Sequence, residues 1–343
     1  MKIAIHNAPG TFSDEWIRYC QKHSIEFKFV NCYESDIISQ LEGCDGLMWH
    51  WSQTDTRAIL FARQLTYSIE KKGLRVFPDS RTCWHFDDKV GQKYLLEAIG
   101  APLVPTVVFY DKQKAKSWAR QTTFPKVFKL RGGASSVNVK LVNSKNQAYK
   151  LIEKAFGRGF QPINKINRLK DKILKFKRKR NVSNFLMIIK GFFRLIYPSY
   201  DDRMLPREKG YVYFQEFIPD NQFDIRIVVI GKRAFGVKRL VRKNDFRASG
   251  SGNLVYNREE LPEECVRIAF DLVDKLELQT VGFDFVLENN SVSLLEISYG
   301  FVSEAYLGCP GFWDNNLNWH EGTFIPEWFM MEEFLTTLKS RSY

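Results

Sequence analysis

The chain has 343 residues, with 51 Lys and Arg against 39 Asp and Glu for a formal net charge of +12, and it is 44% hydrophobic and 26% charged. That length exceeds one ordinary hydrophobic core and points to two or three domains, and the composition is that of an ordinary soluble globular protein. No signal peptide is expected, no run reaches the ~18 apolar residues needed to span a bilayer, and six scattered cysteines lack the spacing of a zinc site or disulfide framework, so a reducing cytoplasm is the expected location.

Over residues 1 to about 86, strand signals at 2–8, 25–31, 45–51 and 74–79 alternate with helix signals at 14–23, 34–43 and 56–73, the period switching of a small parallel α/β unit. A short amphipathic helix follows over 88–100, then a proline-opened strand over 101–110, a polar helix over 111–123 and a strand over 124–130. The small-residue string Gly132-Gly133-Ala134-Ser135-Ser136 separates that strand from another over 137–142. Strands return at 211–218, 223–231 and 234–243; a polar turn over 246–253 leads to a helix over 263–276 and two strands over 280–288 and 291–298. From Gly300 the chain is aromatic and irregular until a helix over 327–338.

The last two strands each carry one acid in an apolar run, Asp284 in TVGFDFVLE and Glu296 in SVSLLEIS. An ionised carboxylate in a half-buried strand is costly unless a cation compensates it. Asn289-Asn290 between them suits a tight hairpin turn, which would set Asp284 and Glu296 side by side on antiparallel strands. Two converging carboxylates form a hard-oxygen pocket of the kind Mg2+ takes, completed by phosphate oxygens and water. A pair of unrelated surface acids is the competing reading.

Lys129 lies in the apolar strand FPKVFKL just before the glycines, where it can set a cation on phosphate oxygens while backbone N–H groups approach others. Phe214-Gln215-Glu216-Phe217-Ile218 ends a strand and offers backbone donors and acceptors to a purine edge. Asp224-Ile225-Arg226 comes next, then Arg239 and Arg247 in separate turns; singly, each arginine reads as solvated surface. The five histidines support no catalytic triad, and His50 and His85, set among tryptophans near strand ends, read as packed and hydrogen-bonded, with substrate contact as the alternative.

Taken in order, Asp88-Lys89, VFKLRGGASS, FQEFI, FDIR, NDFRAS and GFDF with LLEIS, the chain resembles the ATP-grasp superfamily over about residues 85–300. It is most similar to the carboxylate–amine ligases of the ribosomal-protein glutamate ligase and glutathione synthetase kind. The resemblance implies an α/β chain with an ATP-grasp fold, two α+β subdomains sandwiching ATP, preceded by a small Rossmann-like domain. Residues 1–86 would form that N-terminal domain, 87–157 with 206–218 the central subdomain and its flap, and 219–343 the C-terminal subdomain with the metal site. By position, Lys89 and Lys129 would contact the phosphates of ATP, with Gly132, Gly133, Ala134, Ser135 and Ser136 capping them. Gln215, Glu216, Phe217 and Ile218 would line the adenine, with backbone groups of Glu216 and Ile218 bonding it, and Asp224 would take the ribose. Arg226, Arg239 and Arg247 would be the catalytic cations, the last two reaching the γ-phosphate or an acyl phosphate, and Asp284 and Glu296 would ligate Mg2+. Ser298 stands where the family has an asparagine, and its hydroxyl is a shorter, weaker metal ligand.

Between Val142 and Gln215 lie 72 residues, more than the family needs, and the surplus is basic. From Arg158 to Arg194 there are twelve Lys and Arg against the single acid Asp171, so the charge of the whole chain is largely local. Apolar residues Ile163, Ile166, Leu169, Ile173 and Phe176 recur at helical spacing, and 185–198 is aromatic and aliphatic. The insertion 158–205 therefore reads as a basic amphipathic hairpin, either docked through 158–198 on an anionic membrane or packed with a solvated lysine face. Nucleic acid is not expected, because the aromatics form a block rather than a platform interleaved with cations.

The expected activity is an ATP- and Mg2+-dependent ligation of a carboxylate to an amine through an acyl phosphate, on small-molecule or glycan substrates, a surface-glycan or lipid-linked precursor among them. A phosphotransferase on the same scaffold and a non-catalytic nucleotide-binding adaptor are the alternatives. The expected setting is cytoplasmic or peripheral at the membrane, with a homodimer as a further open expectation.

Overall fold

The computed structural model describes residues 1–133, 138–161, 169, 173, 180–197, 205–242, 245–288 and 291–339. They fall into two compact units, one of Met1–Phe86, Gly91–Leu103 and Asp220–Tyr343, the other of Asp87–Val90 and Val104–Pro219.

The first unit opens with β1 (Lys2–His6), β2 (Glu26–Val30), β3 (Gly46–Met48) and β4 (Arg75–Phe77), a parallel sheet in the order β2-β1-β3-β4. Parallel neighbours need crossovers, and the helices Ser13–Lys22 and Thr56–Lys71 provide two of them, as the alternating periods predict. The helix expected over 34–43 is only Ile37–Gln40. Its polar start is used otherwise: Glu34 accepts from Asn31 Nδ2 at 2.9 Å and Asp36 accepts from Gln40 Nε2 at 2.7 Å.

The same unit contains β9 (Phe223–Ile230), β10 (Arg233–Leu240), β11 (Leu254–Val255), β12 (Thr280–Glu288), β13 (Ser291–Ser298), β14 (Gly311–Asp314) and β15 (Trp319–Glu321). They form an antiparallel sheet in the order β13-β12-β9-β10-β14-β15, with β11 also on β10. β14 and β15 lie in the stretch expected to be irregular; the Trp313 and Trp319 rings, 4.7 Å apart, hold this short hairpin, and so few residues show no alternation.

Strand alternation gives this sheet two different faces. Ile225, Ile227, Val229, Val281, Phe283 and Phe285 form one, packed on Val266, Ala269, Phe270 and Val273 of the helix Glu263–Leu276. On the other, Val228, Ile230, Phe235 and Val237 share a core with Ile3, Ile5 and Trp16 and with Met330 and Phe334 of the C-terminal helix Pro326–Lys339. The N-terminal sheet and the C-terminal segment thus belong to one hydrophobic core, although the sequence reads as separate domains. Gly91–Leu103, expected in the central subdomain, also packs here: Leu96 joins the core of Phe283 and Leu294, and the Ile297 N–H donates to Gln92 Oε1 at 3.3 Å.

The second unit holds β5 (Thr106–Phe109), β6 (Lys126–Lys129), β7 (Val139–Val142) and β8 (Val212–Glu216), an antiparallel sheet in the order β5-β8-β6-β7. Phe128, Val212 and Phe214 cover one face together with Ala115 and Ala119 of the helix Lys112–Gln121 and Ala148, Ile152 and Ala155 of the helix Lys145–Phe156. The β6–β7 pair is the expected strand–loop–strand flap, in register from Lys126↔Val142 to Lys129↔Val139. Ala134, Ser135 and Ser136 lie outside the described residues, as does most of the amphipathic pattern over 163–176 and the Asn289-Asn290 turn.

Two histidines of the first unit are packed as acceptors. His50 stacks on Phe12 with ring centroids 3.7 Å apart and its Nδ1 accepts from the Phe12 N–H at 3.2 Å; His6 Nδ1 accepts from the Cys32 N–H at 3.1 Å. Burial lowers His6 and brings His50 down to about 4. A histidine held below its unfolded value of about 6.5 favours the fold while neutral, so its contribution is present above pH ~6.5 and is lost as pH falls through about 4. His50→Asn, which keeps an acceptor but cannot titrate, is expected to flatten the fall of Tm across that window. The same acid dependence in both proteins would refute the assignment.

Candidate functional site

In the second unit, three contacts gather around the glycines after β6. Lys89 Nζ donates to the Gly133 carbonyl at 2.9 Å, the Gly133 N–H donates to Asp87 Oδ1 at 2.7 Å, and the Lys89 N–H donates to the Arg131 carbonyl at 3.0 Å. Arg131 is ion-paired to Asp88, and its N–H donates to the Tyr211 hydroxyl at 2.6 Å. Gly133 has φ +121°, a conformation open to glycine, and a Cβ on Gly132 would come within 3.1 Å of Asp87 Oδ2. The Asp88-Lys89 and Gly132-Gly133 signals therefore belong to one cluster.

Lys129 ends β6 and is paired in register with Tyr213, while Val127 is paired with Gln215, so Lys129 and Gln215 share the sheet face opposite the helix-covered core. Lys126 is three residues earlier, an odd step, and faces the other way. It is 3% exposed and bonds Glu216 across the strands, Nζ to Oε1 at 2.6 Å. The Glu216 side chain lies on the helix side, and its N–H donates to the Pro105 carbonyl at 2.9 Å, so of its backbone groups the N–H is used inside the sheet. Gln215 is 1% exposed, its side chain donating to Thr106 Oγ1 at 3.1 Å, while Phe217 and Ile218 follow the strand end half-buried. Lys126 escaped the sequence reading although it sits in the same apolar run as Lys129.

In the first unit, register assembles the charged residues. Arg239 is opposite Asp224 on β9, Arg226 is opposite Asp284 on β12, and Asp284 is opposite Glu296 on β13. Cross-strand partners share a face, so all five residues project from the same side of the sheet as the core of Val228 and Phe235. Arg239 grips Asp224 with Nε to Oδ1 at 2.5 Å and Nη2 to Oδ2 at 2.8 Å, and its Nη2 is 2.9 Å from Asp284 Oδ2. Arg226 Nη1 donates to Asp284 Oδ1 at 3.0 Å and its Nη2 to the Gly300 carbonyl at 3.4 Å. A Cβ on Gly282 would be 2.8 Å from Arg226 Nη2, so glycine leaves room for that guanidinium. A glycine inside a strand is the signal that could have found it. Tyr306, from the stretch without motifs, is buried within electrostatic reach of both arginines, and no local pattern marks it.

Burial raises the Asp224 carboxyl to about 6, against the lowering by Arg239. Burial also works to lower Arg239, but Asp284 and Asp224 outweigh it and hold the guanidinium charged. Arg247 is placed differently: it pairs with Asp245 in the polar turn, Nη2 to Oδ2 at 2.7 Å.

Asp284 and Glu296 are adjacent as the hairpin predicts, with a bulge between Asp284 and Phe285. Their donor chemistry fits a hard divalent cation. The cluster of Asp224, Asp284 and Glu296 with Arg226 and Arg239 has a formal net charge of −1, which leaves it attractive to one. Asp284 would share its oxygens with two guanidinium groups, and Ser298 Oγ donates to the Gly300 carbonyl at 2.8 Å while retaining lone pairs. Among the described residues no group of three or more His, Cys, Asp or Glu could hold a metal, so phosphate and water oxygens would complete the shell.

A family model described as the RimK-like ATP-grasp domain matches residues 203–302, which contain all five residues of this cluster. No curated protein matches the chain in sequence. Among solved structures, the chain is similar to D-alanine–D-alanine ligase from Bacillus anthracis in complex with ATP, at 12% identity and TM-score 0.56 over 99% of each chain. It is similar to a RimK domain ATP-grasp protein from Sphaerobacter thermophilus at 13% identity and TM-score 0.56, over 98% of this chain and 100% of that one. The biotin carboxylase domain of 2-oxoglutarate carboxylase from Hydrogenobacter thermophilus, in complex with MgADP, matches at 11% identity and TM-score 0.57, over 97% and 69%.

Proposed function

Because this chain carries a RimK-like ATP-grasp domain on an ATP-grasp fold, we propose that it is a ligase that joins a carboxylate to an amine at the expense of ATP, with Mg2+. The observation that carries this reading is the row of buried Asp224, Arg239 and Asp284 with the part-buried Arg226 and Glu296 beside them. Buried ion pairs add little net stability over apolar packing, so such a row on a sheet face is better explained by chemistry. Phosphoryl transfer is mostly positioning and charge neutralisation, which fixed guanidinium groups supply without reorganising.

In this reading a carboxylate oxygen attacks the γ-phosphorus of ATP, the bond to the bridging oxygen breaks and ADP leaves. The amine nitrogen then attacks the acyl carbon, the bond from carbon to the phosphate oxygen breaks, and phosphate and a proton are released. Lys89, Lys129 and the backbone of Gly132 and Gly133 bind phosphate oxygens, and Arg226 and Arg239 stabilise the charge that moves during transfer. Asp284, Glu296 and Ser298 would hold Mg2+, which when bound neutralises phosphate charge.

ATP with Mg2+ is expected to raise Tm, and Lys129→Met, which keeps the apolar stem, to weaken ATP binding about tenfold to a hundredfold. An unaltered ATP response would remove Lys129 from the site. Phosphate release that requires both a carboxylate and an amine supports the ligase; accumulation of a stable phosphorylated acceptor would make the protein a kinase instead.

A further inference from the structure

We propose that the helix Val182–Ile196 is a membrane-docking element that lies in the surface of a bilayer containing anionic lipid. A helix at the surface of a globular protein normally turns its apolar stripe inward. In this helix the stripe faces solvent: Val182 is 75% exposed, Leu186 53%, Ile189 38%, Phe192 55% and Phe193 64%. At about 100° per residue these five fall within an arc of about 120°, and Gly191, which is buried, falls on the opposite side. The large apolar residues of the helix are thus exposed, while its one glycine is buried.

The chemistry of the surroundings selects the occupant. From Lys172 to Tyr200 the sequence holds eight Lys and Arg and no Asp or Glu, and Arg180 and Lys190 are exposed beside the stripe. A large apolar face flanked by cations is the composition of a helix that lies at an interface, where burial of the apolar face and attraction to anionic headgroups act together. Crossing the bilayer does not fit: 15 residues extend about 22 Å against a hydrocarbon core of about 30 Å, and no described helix is long and apolar enough to span. A second copy of the chain fits poorly as well. A two-fold pairing would set this cationic segment against itself with no acid in it to compensate. Nucleic acid is disfavoured because Phe192 and Phe193, although flanked by Lys190 and Arg194, belong to a largely apolar helix, so its aromatics form one block and not a platform interleaved with cations along its length.

The test is co-sedimentation of the full-length protein with phosphatidylcholine vesicles with and without phosphatidylserine, at low and high salt. Binding to the anionic vesicles is expected to exceed that to neutral ones at least about tenfold and to be released by salt. The exposed double variant Phe192→Ser/Phe193→Ser should lose this binding while keeping the ATP-induced rise in Tm, which reports an intact fold. Arg180→Glu/Lys190→Glu should weaken it with the stripe intact. Equal association with both vesicle types, or undiminished binding by the phenylalanine variant, overturns the proposal. So does self-association in the absence of lipid that the phenylalanine variant abolishes without any vesicle binding by the parent.

Discussion

Asp284→Asn is expected to destabilise the first unit by about 3–5 kcal/mol, the cost of removing one partner from a buried ion pair, and to abolish turnover as well. Asp284 is 3% exposed and accepts from Arg226 at 3.0 Å, with Arg239 Nη2 at 2.9 Å. Asparagine has nearly the same shape but no charge, so the two guanidinium groups would be left to Asp224, whose own ionisation burial already disfavours, and to the half-buried Glu296. The measurement is denaturant unfolding of the variant, alone and combined with Arg226→Met. Removing a cation together with the anion should recover part of the loss. A single variant as stable as the parent would mean that these arginines are solvated in solution and that the network is not a buried one.

Glu296→Gln is expected to behave in the opposite way, with turnover reduced about 10²- to 10³-fold and little change in unfolding. Glu296 is cross-strand neighbour to Asp284 but only half-buried, so water can solvate what the substitution leaves behind. Loss of its charge acts on cation binding more than on packing, and the ATP-induced rise in Tm should survive in part. Phosphate release in the presence of Mg2+ measures it directly. Undiminished release would take Glu296 out of the metal site and leave Asp284 with a purely structural part.

The contrast between these two acids follows from their places in the sheet, and only part of it is legible in the sequence. Thr280–Glu288 and Ser291–Ser298 are found at those bounds because apolar runs flank a turn dipeptide, and the adjacency of Asp284 and Glu296 follows from the short connection. The Asp88-Lys89 and Gly132-Gly133 signals are legible for a similar reason, since glycine marks a backbone that must pass close to something; here that is Asp87. Glu216 shows the limit. A strand end can be located from sequence, but whether its N–H meets a ligand or the Pro105 carbonyl depends on β5, more than a hundred residues earlier.

What the sequence by itself determined is therefore local: the alternating elements of the N-terminal unit, the flap strands, the acidic hairpin, and the concentration of positive charge between Arg158 and Arg194. Each rests on residues near one another in the chain, where periodicity and turn chemistry act. Only the tertiary structure decided that Asp224, Arg226, Arg239 and Asp284 make one buried network, that Lys126 and Lys129 serve opposite faces of a sheet, and that the stripe of Val182–Ile196 faces solvent. These depend on strand register and on which surfaces other elements cover. A charged side chain is stable in the interior only if its counter-charge arrives from another strand, and no spacing within the strand itself records which one will.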